Sequence, residues 1–212
     1  MARVSMFFVW CVVFACSTAR ADVRASHHAA PQAPAAVLDS LIDTAGIPKA
    51  MLATFRRAYD ENWVVFGSGS HQNYFFLPRT VHTTAQGTKT VWGVNVQGAD
   101  PNGWNTGRAA IVAQRSQLGA DPKPYAHYLL TKVQWEIDCE GKRMRMRQLV
   151  DCDDAGKVIW AGHYDDALEA PANGSNGENL VHTFCEPKLR ITFRDVVNTP
   201  MGEPVSADRD PE

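Results

Sequence analysis

Apolar residues recur along this chain with two different periods, and the switch falls at Trp63. Ahead of it, 37–45 and 49–59 carry helical spacing, interrupted by Gly46, with Pro48 placed to open the second helix. In that second stretch Met51, Leu52, Phe55 and Tyr59 share a face while Lys49, Arg56 and Arg57 lie elsewhere, the pattern of a helix packed on a domain edge. From Trp63 the period becomes two. Short β-rich runs at 63–67 and 73–77 flank the turn Gly67-Ser68-Gly69-Ser70, and 88–96 alternates so that Trp92, Val94 and Val96 share one side. An irregular stretch, 97–123, is punctuated by Asp100-Pro101-Asn102-Gly103 and Asp121-Pro122 and reads as a loop. The longest strands are expected at 125–138, 142–151 and 157–164, with 188–197 offering one more through Leu189, Ile191 and Phe193.

The hairpin around Glu140-Gly141 fixes a register. A two-residue turn there sets Asp138 against Arg143, Ile137 against Met144, Glu136 against Arg145 and Trp135 against Met146. Apolar residues then meet apolar ones and acids meet arginines, as cross-strand pairing prefers. The Arg143, Arg145, Arg147 stripe is a candidate docking site for an acidic partner, although Asp138 and Glu136 already oppose two of its charges.

The same register sorts the cysteines. Cys139 sits at the turn, whereas Cys152 lies ten strand positions beyond Lys142, on the order of 30 Å away in a straight strand. A disulfide tolerates only about 7 Å between Cα atoms, so Cys139–Cys152 is excluded. Farther on, Ser175-Asn176-Gly177-Glu178 forms a capping box, Leu180, Val181, Phe184 and Cys185 repeat on one helical face, and Pro187 ends the helix. A Cys139–Cys185 disulfide pinning that helix across the sheet is the expected staple, leaving Cys152 without a partner.

Such a staple needs an oxidising compartment, and the N-terminus agrees. Arg3, the apolar run 4–15 and the small-x-small site Ala19-Arg20-Ala21 read as a secretory signal over 1–21, too short to span a bilayer, which takes roughly 20 apolar residues. A rival cut exists at Val13-Phe14-Ala15-Cys16, which resembles a bacterial lipobox; lipidation of Cys16 would tether the chain to a membrane. The expected organisation is a signal (1–21), a flexible Ala-, Pro- and His-rich leader (22–36), a helical segment (37–60), a β-sheet domain (61–197) and a disordered tail (198–212). The fold class is α+β: one antiparallel sheet of about six strands, a C-terminal helix tied to it by the disulfide, and N-terminal helices.

Composition narrows the functions. The 212 residues hold 21 Lys+Arg against 23 Asp+Glu, a balance unlike that of a nucleic-acid binder relying on phosphate contacts. Six Trp and nine Phe supply more apolar surface than a disordered chain carries.

From Trp63 to Cys185 the order of features resembles the surface-adhesin protein E-like domain of exported bacterial proteins. Trp63 opens a strand, Tyr74-Phe75-Phe76-Leu77-Pro78 and 88–94 with Trp92 supply the next ones, and Cys139 precedes an Arg-rich strand. Asp153-Asp154-Ala155-Gly156-Lys157-Val158 resembles the family's acidic turn, and Pro171-Ala172-Asn173-Gly174-Ser175 leads into the helix ending at Cys185. The resemblance covers residues 62–185; the 97–123 stretch looks like an insertion, and Cys152 stands where a tyrosine-like residue is expected. It implies a non-enzymatic role in the periplasm or at the cell surface. Adhesion itself carries over weakly, because a shared fold does not transfer a binding segment.

Catalytic and metal motifs fail on spacing. Asp151-x-Asp153 imitates the start of a calcium loop, but Ala155 and Gly162 occupy ligand positions, so a hairpin turn is expected. Gly67-Ser68-Gly69-Ser70 lacks both the phosphate-loop lysine and the nucleophile-elbow pattern. The histidines show no ligand spacing. Trp104, in a Gly- and Asn-rich stretch, is either an exposed anchor or packed on the core.

The expected function is therefore an exported, non-enzymatic binding module, adhesin-like, without cofactor. Its expected partner is a protein, either an envelope component or a host matrix protein, and neither nucleic acid nor, unless Cys16 is lipidated, a membrane. The alternative is a periplasmic enzyme or metal carrier, which requires at least two of His82, His127 and His163 to converge.

Overall fold

The computed structural model describes residues 49–69, 72–97, 101–199 and 205. The expected signal, leader and first helix (37–45), and nearly all of the expected tail, lie outside the described residues. Within them, eight strands form one antiparallel sheet: β1 (Val64–Ser68), β2 (Gln72–Phe76), β3 (His82–Thr83), β4 (Lys89–Gln97), β5 (Tyr128–Asp138), β6 (Arg143–Asp153), β7 (Val158–His163) and β8 (Ile191–Thr192). The order is β7-β6-β5-β4-β2-β1-β8, with β3 on the side of β4. Helices α1 (Lys49–Asp60), α2 (Pro101–Gln117), α3 (Asn176–Cys185) and α4 (Phe193–Asn198) and three short 3-10 turns, Pro78–Thr80, Lys123–His127 and Pro187–Leu189, complete the described elements. Beyond the six longer runs, β8 falls within the expected 188–197 run, and β3, two residues long, is too short to show a period.

The sheet buries both faces. On one, Trp92, Val94 and Val96 join Phe75, Leu130, Val150 and Cys152 beneath α1, as the alternation predicts. The stripe that α1 buries is Met51, Thr54, Phe55 and Ala58, rotated from the expected one; Tyr59 is half-buried under the Arg194 guanidinium, 5.0 Å from its ring centre. On the other face Val64, Phe76, Val91 and Ile137 meet Leu180, Val181 and Phe184 of α3.

The β5–β6 register is the expected one from Asp138↔Arg143 to Trp135↔Met146. A bulge then shifts it, so that Gln134 faces Gln148 and Arg147 has no opposite residue. The connection is four turn residues, 139–142, rather than two; Lys142 takes φ 49° and Gly141 N–H donates to Asp138 Oδ1.

Cys139 and Cys185 are bonded, with Cα atoms 5.5 Å apart. Ser175 caps α3 by accepting from Glu178 N–H, while the Glu178 carboxylate accepts from Gly174 N–H instead of completing the expected box on Ser175. At the far end Arg190 donates to the Thr183 and Phe184 carbonyls and lies over the Phe76 and Phe184 rings.

Two expectations are corrected. The 97–123 stretch is not an irregular loop: α2 spans most of it, and Pro101 stands at its first residue, where a missing N–H costs nothing. The run at 188–197 yields only the two residues of β8, because Thr192 and Asp195 form a reciprocal capping box that starts α4.

Candidate functional site

A groove of about 640 Å³ opens on the α1 face of the sheet, within the roughly 300–1,000 Å³ typical of small-molecule sites. Its floor is apolar: Trp92, Val94, Leu130, Val150 and Cys152. Ala53, Thr54 and Arg57 of α1 contribute to one side, and the turn from Asp153 to Gly156 contributes to the other. A short helical turn, Pro78–Thr80, is pinned to β4 by Leu77 N–H donating to the Trp92 carbonyl and Trp92 N–H donating to Thr80 Oγ. That pinning sets Arg79 and Thr80 along the groove.

Charged groups ring it. Arg57 and Arg79 both pair with one oxygen, Glu61 Oε1, at 2.9 and 2.8 Å, and Trp63 Nε1 donates to Oε2. Burial raises the Glu61 pKa, but the Trp63 hydrogen bond and the two guanidiniums outweigh it and hold the pKa below its ordinary value. Across the groove, Asp153 Oδ1 accepts from the Ala155 and Lys157 amides, and Asp154 lies 3.6 Å from His127 Nδ1. Gly156, at φ 79°, closes this turn, so Asp153 serves a hairpin as expected, and Asp151 points to the opposite face.

Lys132 is the exception. Its cross-strand neighbours are Val94 on β4 and Val150 on β6, it is exposed, and it makes no ion pair among the described residues. Beside the neighbouring Leu130, burial pushes the Cys152 thiol pKa up, and the Lys132 charge opposes that shift.

The arginine stripe lies along the same face and its charges are matched within the chain. Arg143 pairs with Asp138 at 2.7 Å, Arg145 with Glu136 at 2.9 Å, and Arg147 with Glu136 and Asp165 at 3.4 and 3.7 Å. Glu136, 6% exposed, also accepts from Thr88 Oγ; burial raises its pKa, but that bond and the arginines hold it below the usual value. The backbone of Trp104 belongs to α2 rather than to a loop, and its side chain lies outside the described residues.

On the opposite face a buried ionic network anchors α2. Asp151, fully buried, accepts from Arg115 Nε at 2.7 Å, Tyr125 O–H at 2.8 Å and Thr131 O–H at 2.6 Å. The Arg115 guanidinium stacks 5.1 Å from the centre of the Trp160 ring. Burial, followed by the Asp151 carboxylate, drives the Tyr125 phenol pKa upward. Tyr128, bonded to Thr131, is raised to about 12 by burial. These groups hold the helix to the sheet, and nothing in the sequence pattern marks them, because the 97–123 stretch that contains Arg115 reads as a loop.

The candidate histidines are dispersed. His82 lies on β3 beside Thr90, His127 precedes β5, and His163 ends β7 opposite Gln148. No group of three His, Cys, Asp or Glu able to hold a metal occurs among the described residues. None of their helices is long and apolar enough to cross a membrane.

The chain matches no family model, no curated protein and no solved structure.

Proposed function

We propose that this protein is an exported, non-enzymatic module of the cell envelope or surface that works by binding, and that the groove on the α1 face is its recognition site. The observation that carries this reading is an apolar floor flanked by charged groups, the usual composition of a ligand site. Export is supported by the Cys139–Cys185 bond, since a structural disulfide persists outside the reducing cytosol, and by the signal-like pattern of residues 1–21. The kinship with surface-adhesin protein E-like domains belongs to the same proposal; its support is the helix cross-linked to an antiparallel sheet. The partner is then an envelope component, and a host matrix protein has no specific support in the groove.

Fractionation of the native cell with surface protease shaving tests this. The chain is expected in the periplasmic, membrane-tethered or protease-accessible fraction with Cys139 and Cys185 bonded. Recovery from the cytosol with both thiols reduced would overturn it.

A further inference from the structure

We infer that the groove takes a single-chain anionic amphiphile, its apolar chain along Trp92, Leu130 and Val150 and its head at Lys132. This rests on the groove being the recognition site and names what it recognises.

The inference comes from a mismatch in one row of side chains. Along this face of β5 and β6, Asp138 meets Arg143 and Glu136 meets Arg145, then Gln134 meets Gln148. The next pair is Lys132 with Val150, and beyond it stands Leu130 with Cys152. Lys132 thus stands where an ionic surface gives way to an apolar floor, with a valine on each side and no carboxylate among the described residues in ion-pair reach. On the α1 side of the groove, Arg57 and Arg79 share the single carboxylate of Glu61. The acids of the groove stand at the opposite rim, Asp153 accepting from backbone amides and Asp154 lying 3.6 Å from His127 Nδ1. An anionic head gives Lys132 the partner it lacks, and an acyl chain suits the apolar floor beside it. The groove lies between α1 and the Asp153–Gly156 turn.

Calorimetry on the purified, disulfide-bonded full chain tests this with hexadecanoate, hexadecanol and hexadecyltrimethylammonium, each held at a concentration where it is monomeric in solution. Hexadecanoate is expected to bind saturably and about tenfold more tightly than the alcohol, with the cation weakest. Lys132→Met, at an exposed position, should erase the preference for the carboxylate and keep the alcohol's affinity. Lys132→Glu should favour the cation. Bound hexadecanoate should also slow alkylation of Cys152, which locates the chain on the floor.

Equal affinity for carboxylate and alcohol, an unchanged preference in Lys132→Met, or saturation without protection of Cys152 would each overturn the inference. So would association with anionic phospholipid vesicles but not with monomeric hexadecanoate. Should no amphiphile bind while the protein fractionates with the envelope, the ligand class falls and the export reading stands; a cytosolic, reduced protein removes the functional reading on its own.

Discussion

Arg115 and Asp151 meet at 2.7 Å across 36 positions of sequence, the guanidinium 3% and the carboxylate 0% exposed as residues. Their neighbours complete the pairing: Tyr125 and Thr131 fill the remaining acceptor sites of Asp151, and Trp160 faces the guanidinium. One residue on, Cys152 points the other way, into the floor of the groove. Strand alternation at 151 and 152 therefore joins the anchor of α2 to the candidate binding site through one stretch of backbone.

Removing one partner of that buried pair leaves the other charge uncompensated. Arg115→Met is expected to cost about 3–5 kcal/mol, whereas Arg115→Met with Asp151→Leu should cost less than the single change. Urea unfolding of the two variants and the parent measures both; a double variant weaker than the single one contradicts this.

The disulfide closes a segment whose ends are 46 residues apart. In the chain-entropy account, replacing Cys139 and Cys185 with serine should lower stability by about 4 kcal/mol. Mass mapping of non-reduced peptides should recover the Cys139–Cys185 link, and a Cys152–Cys185 peptide would contradict it.

Glu136 titrates below its ordinary 4.5 in the folded chain because Thr88, Arg145 and Arg147 favour the carboxylate more than burial disfavours it. A lowered folded pKa gives stability that is complete above the unfolded value and is lost as pH falls through the folded one. Glu136→Gln should therefore destabilise at neutral pH and lose the part of the acid limb lying below pH 4.5. Thermal unfolding from neutral pH downward reads this as converging curves for parent and variant.

A side chain at Gly93 would crowd its neighbours. A Cβ there would stand 3.0 Å from the Phe75 carbonyl and 3.2 Å from Trp135 Nε1, both tighter than ordinary packing. Gly93→Ala should cost about 1–3 kcal/mol through strain between β2, β4 and β5. Chemical denaturation gives the value, and a neutral effect would mean that the Trp135 indole swings aside freely.

Local pattern alone determined much of this molecule. Period-two alternation fixed which residues share a face, charge and size matching fixed the β5–β6 register, and that register with the apolar stripe of α3 fixed the disulfide. All three arise from interactions between near neighbours, or from a repeat that a single strand or helix displays by itself. Other features depended on distant partners. Pro101 is equally at home as a loop breaker and as the first residue of a helix, and the helix is secured by Arg115 reaching Asp151, which no local pattern announces. Lys132 likewise reads as one more polar residue on a strand; only the sheet, by setting Val94 and Val150 on either side of it, makes its charge stand out. A groove is the space left between elements, and that space exists only once α1, the sheet and the 153–156 turn have been placed together.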